Sequence, residues 1–366
     1  MKRFEDPILV TRPYLPPLED FTAGCAEVWA NRWLTNDGPM LRKFHAELAD
    51  YLHVPPTNLA LFNNGTLALE LGYYAMGLAG GDVITTPFTF VATSHALKRI
   101  GATPVFADID PETLCLSPGA AERLITPRTR AIVPVHVYGD ICDLDGFRRL
   151  GEKYGVKIIY DAAHAFGICR DGVTVAAQGD MSMFSFHPTK LFHSCEGGCL
   201  VFRDAAVQEK LFRLRNFAIK NETECVDVGS NAKMNELQAL MGLCCLRKID
   251  DLLDWRRRIA GVYEEAFAGS SVKWVGRNEN HAYCPVLFRD NATRERVYTE
   301  LKERCNVFSR RYFYPLLTDF APYIYGRGNC PVAEDAASRV LTLPTYYGLP
   351  LEAVRAIAED VKEIVG

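Results

Sequence analysis

The sequence predicts an α/β protein built on a mostly parallel sheet. Between about residues 58 and 203, short apolar runs alternate with helical stretches. Those runs are nearly continuous in apolar character, which suits strands covered by helices on both faces rather than a half-solvated antiparallel sheet. After Phe202 the texture changes to longer, more charged helices. That change predicts a smaller α+β unit behind a large α/β domain, with the two spanning residues 1–250 and 251–366.

Taken in order, Leu59–Phe62 reads as the first strand and 66–77 as a helix. Residues 83–86 form a strand stopped by Pro87, and Val91–Arg99 a helix. Runs 104–107, 131–135, 157–160, Met181–Ser185 and 199–202 are further strands, with a helix at Leu144–Tyr154. The large sheet is therefore expected to have seven strands. Beyond it, 205–217 and 235–267 are helix-rich, 282–288 is a strand, 293–304 a helix, and Leu351–Val365 a closing amphipathic helix.

Composition narrows the function. The 366 residues carry 41 basic and 45 acidic side chains, a net charge of −4, so no basic excess exists to neutralise a nucleic acid. No apolar run is long enough for a transmembrane helix, and the first residues lack the apolar segment of a secretion signal. The expected partners thus include neither nucleic acid nor membrane, and the expected location is the cytoplasm. The 12 cysteines fit that reducing address as small apolar residues. Cys195 and Cys199 could be half a zinc site, but no second close Cys/His pair completes it, so no metal is expected.

The segment carrying most chemistry runs from Tyr160 to Gly198. Asp161 ends a strand, where open α/β sheets place ligands, and Lys190 follows 29 residues later beyond the strand that ends in Ser185. A lysine just past a buried strand suits a Schiff base, because burial favours the neutral, nucleophilic amine. An aspartate suits a pyridinium nitrogen, because a carboxylate keeps that nitrogen protonated. Taken alone, such a pair would more readily be a surface lysine and a helix-capping aspartate. Gly65 and Thr66 lie between a strand and a helix and can offer backbone N–H groups to a phosphate, although Thr66 as a plain N-cap after a turn reads as well. Phe90, after the next strand, could cover a flat ring or simply pack in the core. The turn from Gly229 to Glu236 alone is only a capping sequence.

Together these segments resemble the DegT/StrS family of sugar aminotransferases, pyridoxal 5′-phosphate (PLP) enzymes of the aspartate-aminotransferase fold (fold type I). The markers are WLTNDGP (33–39), NNGTLAL (63–69), TPFTFVAT (86–93), PVHVYG (134–139), YDAAHAFG (160–167), SFHPTK (185–190), EGG (196–198), SNAKMNELQA (230–239), RRYFYPL (310–316) and LTLPTYY (341–347), in order along nearly the whole chain. The resemblance implies that Lys190 carries the cofactor and shuttles a proton, that Asp161 pairs with its ring nitrogen, and that His164 lies beside the ring. It implies that Phe90 stacks on the ring and that Gly65, Thr66 and Ser185 hold the phosphate. Asn231 would reach the phosphate of the neighbouring subunit's cofactor, making the active unit a homodimer with shared sites. Trp33, Thr35 and Asn36, with Arg310, Tyr312 and Tyr314, would meet the nucleotide sugar.

The implied reaction moves an amino group from L-glutamate to a nucleotide-linked keto sugar. Lys190 favours amino transfer, since members that remove a 3-hydroxyl carry His there. SFHPTK resembles the branch acting at C4 of 4-keto-6-deoxy sugars, with dTDP-4-dehydro-6-deoxy-D-glucose the favoured acceptor. A 3-keto sugar or a GDP- or UDP-linked 4-keto sugar is the alternative. A nicotinamide oxidoreductase lacks its G-x-G-x-x-G turn here, and a non-catalytic regulator on this scaffold need not keep Lys190, Asp161 and the phosphate seat together.

Overall fold

In the computed structural model, which describes residues 3–170, 172–276 and 279–366, a seven-stranded sheet forms the centre. Its strands are β1 (Leu59–Phe62), β2 (Asp82–Thr85), β3 (Thr103–Phe106), β4 (Thr129–Val133), β5 (Lys157–Asp161), β6 (Met181–Ser185) and β7 (Gly198–Phe202). The order across the sheet is β1-β7-β6-β5-β4-β2-β3. Only β7 runs antiparallel to its neighbours; the other pairings are parallel. The expected seven runs are all present, with ends shifted by one or two residues. Run 131–135 stops at Val133 because Pro134 has no N–H for the ladder; its carbonyl still accepts from Asp161 N at 2.9 Å.

Both faces of the sheet are covered. On β1, Leu59 and Leu61 point into one apolar cluster and Ala60 and Phe62 into another, each essentially unexposed. The first cluster is closed by α1 (Pro39–Tyr51) through Met40, Leu41, Phe44 and Leu48, spaced for one helix face. The second is closed by α2 (Gly65–Ala75) and α3 (Val91–Arg99) through Ala68, Leu69, Ala96 and Leu97. Neither α1 nor the helix before it, Leu18–Asn31, was among the expected elements.

The helix-rich stretch 235–267 is two helices, α4 (Glu236–Leu246) and α5 (Ile249–Phe267), broken at Arg247 and Lys248. Run 205–217 forms a helix only over Val207–Leu214. Behind them, β8 (Lys273–Trp274), β9 (Cys284–Leu287) and β10 (Val340–Leu343) make an antiparallel three-stranded sheet. It packs on α5, α6 (Asn291–Cys305) and α7 (Leu351–Val365) through Ile259, Tyr263, Val286, Leu341, Val354 and Val361. Among the described residues, no helix is long and apolar enough to cross a membrane.

Candidate active site

A cavity of about 280 Å³ opens at the C-terminal ends of β1, β5 and β6, where a parallel sheet leaves its crevice. Of the residues singled out in the sequence, Gly65, Thr66, Phe90, Asp161, His164, Ser185, Lys190, Arg310 and Tyr312 line it together. Asn64, Thr89, His187, Thr189 and Glu196 share its wall.

Asp161 is the last residue of β5 and is 4% exposed. One carboxylate oxygen accepts from Thr93 Oγ1 at 2.7 Å and the other from Ala163 N at 3.1 Å. Thr93 is itself bonded at 3.1 Å to the Oγ1 of Thr89, two residues before α3 begins. Burial pushes the Asp161 carboxyl above the ordinary carboxylate range, and the two hydrogen bonds and nearby Lys190 only partly offset this. A cation on the cavity side would stabilise its charge.

His164 lies three residues on and is also buried. Its Nδ1 accepts from Tyr138 N at 3.1 Å, so in the neutral ring the proton sits on Nε2. Burial, and then the charge of Lys190, hold it well below the ordinary histidine value. Lys190 closes the turn after β6, its N–H donating to His187 O at 2.9 Å. Burial lowers its amine, with Tyr312 and Asp161 pulling the other way and Arg310 adding to the lowering. The amine is therefore more readily neutral than a surface lysine's, as a nucleophile requires.

The candidate anion seat has a simple origin. Asn64, not Thr66, is the N-cap of α2: its Oδ1 accepts from Leu67 N at 2.8 Å. Gly65 and Thr66 are thus the first helical residues, whose N–H groups have no intrahelical partner and carry the positive end of the helix dipole. A side chain at Gly65 would come within 3.1 Å of Ser185 Cβ and 3.2 Å of its Oγ, so glycine keeps this cradle open. Gly198 serves the same approach, since a Cβ there would stand 2.8 Å from the Gly65 backbone. A helix N-terminus beside a serine, a buried aspartate, an imidazole and a lysine in one cavity form the donor set that PLP needs: anion seat, ring-nitrogen partner, ring neighbour and amine. The residues present fit that cofactor.

Other expected site residues lie elsewhere. Trp33, Thr35 and Asn36 are exposed and do not line this cavity. The Trp33 indole instead bonds back to the carbonyls of Thr35 and Asn36. Asn231 is exposed, its side chain accepting from Lys233 Nζ at 2.8 Å. Tyr314 faces a neighbouring groove, with the buried Arg294 guanidinium 4.5 Å from its ring.

Three further residues, which bond through their side chains to Asp161, Lys190 or the His164 backbone, were not singled out. Thr93 stands inside TPFTFVAT, and its spacing of four from Thr89 was the available signal. Tyr283 and Asn280 arrive from the entry to β9. Tyr283 Oη accepts from Lys190 Nζ at 3.3 Å, and Asn280 Nδ2 donates to His164 O at 2.9 Å and Phe166 O at 3.0 Å. Nothing in the sequence marks either residue, because their partners lie about a hundred residues earlier in the chain.

Known proteins match this chain over nearly its full length. The family model described as the DegT/DnrJ/EryC1/StrS aminotransferase family matches residues 18–362. A dTDP-4-amino-4,6-dideoxy-D-glucose transaminase of Shigella dysenteriae is 41% identical over 369 residues, covering 98% of this chain and 100% of its own. One of the same name from Escherichia coli is 37% identical over 369 residues, covering 96% and 97%. The solved structure of DesI, determined in the presence of its TDP-sugar product, is 35% identical with a TM-score of 0.92, covering 100% of this chain and 94% of that one. The expected fold type I architecture agrees with that likeness.

Proposed function

Since the chain belongs to the DegT/DnrJ/EryC1/StrS aminotransferase family, we propose that it transfers the amino group of L-glutamate to C4 of dTDP-4-dehydro-6-deoxy-D-glucose, giving dTDP-4-amino-4,6-dideoxy-D-glucose. It is an aminotransferase, and its cofactor is PLP. The observation that carries the reading is the cavity in which Asp161, His164, Ser185, Lys190 and the start of α2 converge. The C4 position and the dTDP carrier are supported by two relatives that bear the 4-amino transaminase's name over almost their whole length. The 3-keto and the GDP- or UDP-linked acceptors are not favoured.

When bound, PLP supplies an electron sink that makes a proton on the carbon next to nitrogen removable. In this reading Lys190 would hold the cofactor through its amine, and that amine, when free, would take up and return the proton. Asp161 would pair with the ring nitrogen and keep it protonated, and that cation would add to the partial compensation its buried charge has from Lys190. His164, kept neutral by burial, and Phe90 would hold the ring, and Ser185 with Gly65 and Thr66 would hold the phosphate. Arg310 and Tyr312 would meet the sugar nucleotide on the open side, with Tyr314 and the 33–36 loop further out. Residues 1–250 and 251–366 are proposed as the two units, the seven-stranded sheet within the first and the three-stranded sheet within the second.

A second copy of the chain is proposed to complete the site. Phe217 and Val228, 47% and 84% exposed, lie beside the bridge that pairs Asn216 with Asn231. Leu34, 59% exposed, is tied to the same region by Glu236 N donating to its carbonyl at 3.0 Å. An apolar patch around Asn231 supports its burial against a partner, where Asn231 would reach the partner's cofactor phosphate. The test follows the visible absorbance of PLP-loaded protein. L-glutamate should bleach it and dTDP-4-dehydro-6-deoxy-D-glucose restore it. Bleaching without restoration would overturn the acceptor, and no cofactor absorbance at all would overturn the role of Lys190.

A further inference from the structure

Lysine has four rotatable side-chain bonds, and an amine that must act at one place and then at another loses rate if it wanders. Lys190 is not free to wander. Its Nζ lies 3.3 Å from Tyr283 Oη and 5.9 Å from the centre of the Tyr283 ring, so the hydroxyl, and not the ring face, is the contact.

Tyr283 is fixed by a route independent of the lysine's own strand. Its ring packs 4.5 Å from the His164 ring, centre to centre. One residue before it, Ala282 N donates to Asn280 Oδ1 at 3.1 Å, and Ala282 O accepts from the buried Arg256 at 2.8 Å. Asn280 in turn grips the carbonyls of His164 and Phe166, and the residues after Tyr283 enter the three-stranded sheet as β9. The hydroxyl is thus held in register with the loop that carries Asp161 and His164.

We propose that Tyr283 is the positioning residue for Lys190: its hydroxyl holds the amine at the edge of the cavity whenever that amine is not bonded to the cofactor. A neutral hydroxyl suits this task better than a carboxylate would. It anchors the amine by one hydrogen bond without locking it as an ammonium ion, so the lone pair stays usable. Burial pushes the tyrosine's own ionisation upward, with Arg256 and Arg310 lowering it and Asp161 raising it, which keeps the hydroxyl protonated near neutral pH. The proposal rests on the reading of Lys190 as the residue that bonds PLP.

The test uses the full chain stripped of cofactor, with PLP added and the rate of its capture read by absorbance. Tyr283→Phe keeps the ring and removes the hydroxyl. It should slow capture about tenfold, roughly what one hydrogen bond to an amine is worth, with the melting temperature of the cofactor-free protein unchanged. In the proposed reaction, kcat should fall by a similar factor while KM for both substrates moves less than about twofold. Wild-type capture rates in Tyr283→Phe overturn the proposal. So does a loss that appears only in Tyr283→Ala, or one that accompanies a large drop in melting temperature in Tyr283→Phe, since either assigns the tyrosine to packing. A Lys190→Ala variant that captures PLP as fast as wild type overturns the reading of Lys190 beneath it, a result distinct from any of these.

Discussion

Two buried carboxylates, Asp161 at the end of β5 and Glu236 at the start of α4, are 4% and 1% exposed. Each accepts two hydrogen bonds from the protein. Glu236 takes both from one helix start, Met40 N at 2.8 Å and Leu41 N at 3.0 Å, where the dipole of α1 also favours a negative charge. Gly38, the residue before α1, makes room for it by lacking a side chain: a Cβ there would stand 2.5 Å from the Glu236 carboxyl carbon. Asp161 has a threonine hydroxyl on one oxygen, a backbone N–H on the other, and a cavity in front. Burial alone therefore does not mark a functional acid. A carboxylate enclosed by helix donors is a structural joint; one facing open space is prepared for a ligand's cation.

Replacing each acid separates the two. Asp161→Asn should reduce transamination about a thousandfold, because an amide cannot hold the ring nitrogen protonated. The cofactor-free protein should not become less stable. Its folded-state carboxyl value lies above the unfolded one, so Asp161's contribution is present at low pH and is lost as pH rises through the folded value. At pH 7 the charge therefore costs stability, and melting curves of the cofactor-free variant should match or exceed wild type. Retained turnover with a lower melting temperature would make Asp161 a joint like Glu236.

Glu236→Gln should do the reverse. One of the two N–H groups at the start of α1 would meet an amide NH₂, costing about 2 kcal/mol in denaturant titrations. At temperatures below its melting, kcat should stay within about threefold of wild type. A large kcat loss in a folded variant would break the distinction.

Thr93→Val is the finest test. It deletes the hydroxyl donated to Asp161 while keeping the side-chain shape, and kcat should fall about fivefold, the worth of one hydrogen bond. Because the Thr93 bond lowers the Asp161 value, its loss should move any acid limb of the pH–rate profile upward. An unmoved limb would assign that limb to another group.

Legibility in the sequence follows the same division. The strands of the large sheet could be read because each is a short apolar run between turn residues, buried on both faces. β10 could not, because LTLPTYY reads as a motif before it reads as a strand. The helices 18–31 and 39–51 were not picked out, since their burial depends on α4 packing against them. Asp161, Ser185 and Lys190 were legible because strand ends and spacing place them at one edge. Gly65 was legible as the start of a helix, but its cap is Asn64, a residue type favoured over threonine at that position.

The sequence by itself thus determined the alternation of strand and helix, and with it which edge of the sheet would hold the cavity. Tertiary structure alone decided what surrounds that chemistry. Tyr283 meets Lys190 across 93 positions and Asn280 meets His164 across 116, and such contacts exist only after β9 has docked on the loop beyond β5. The physical reason is range. Periodicity and capping are local, set by neighbours within one or two turns, whereas the position of a hydroxyl against an amine is set by how separate layers pack.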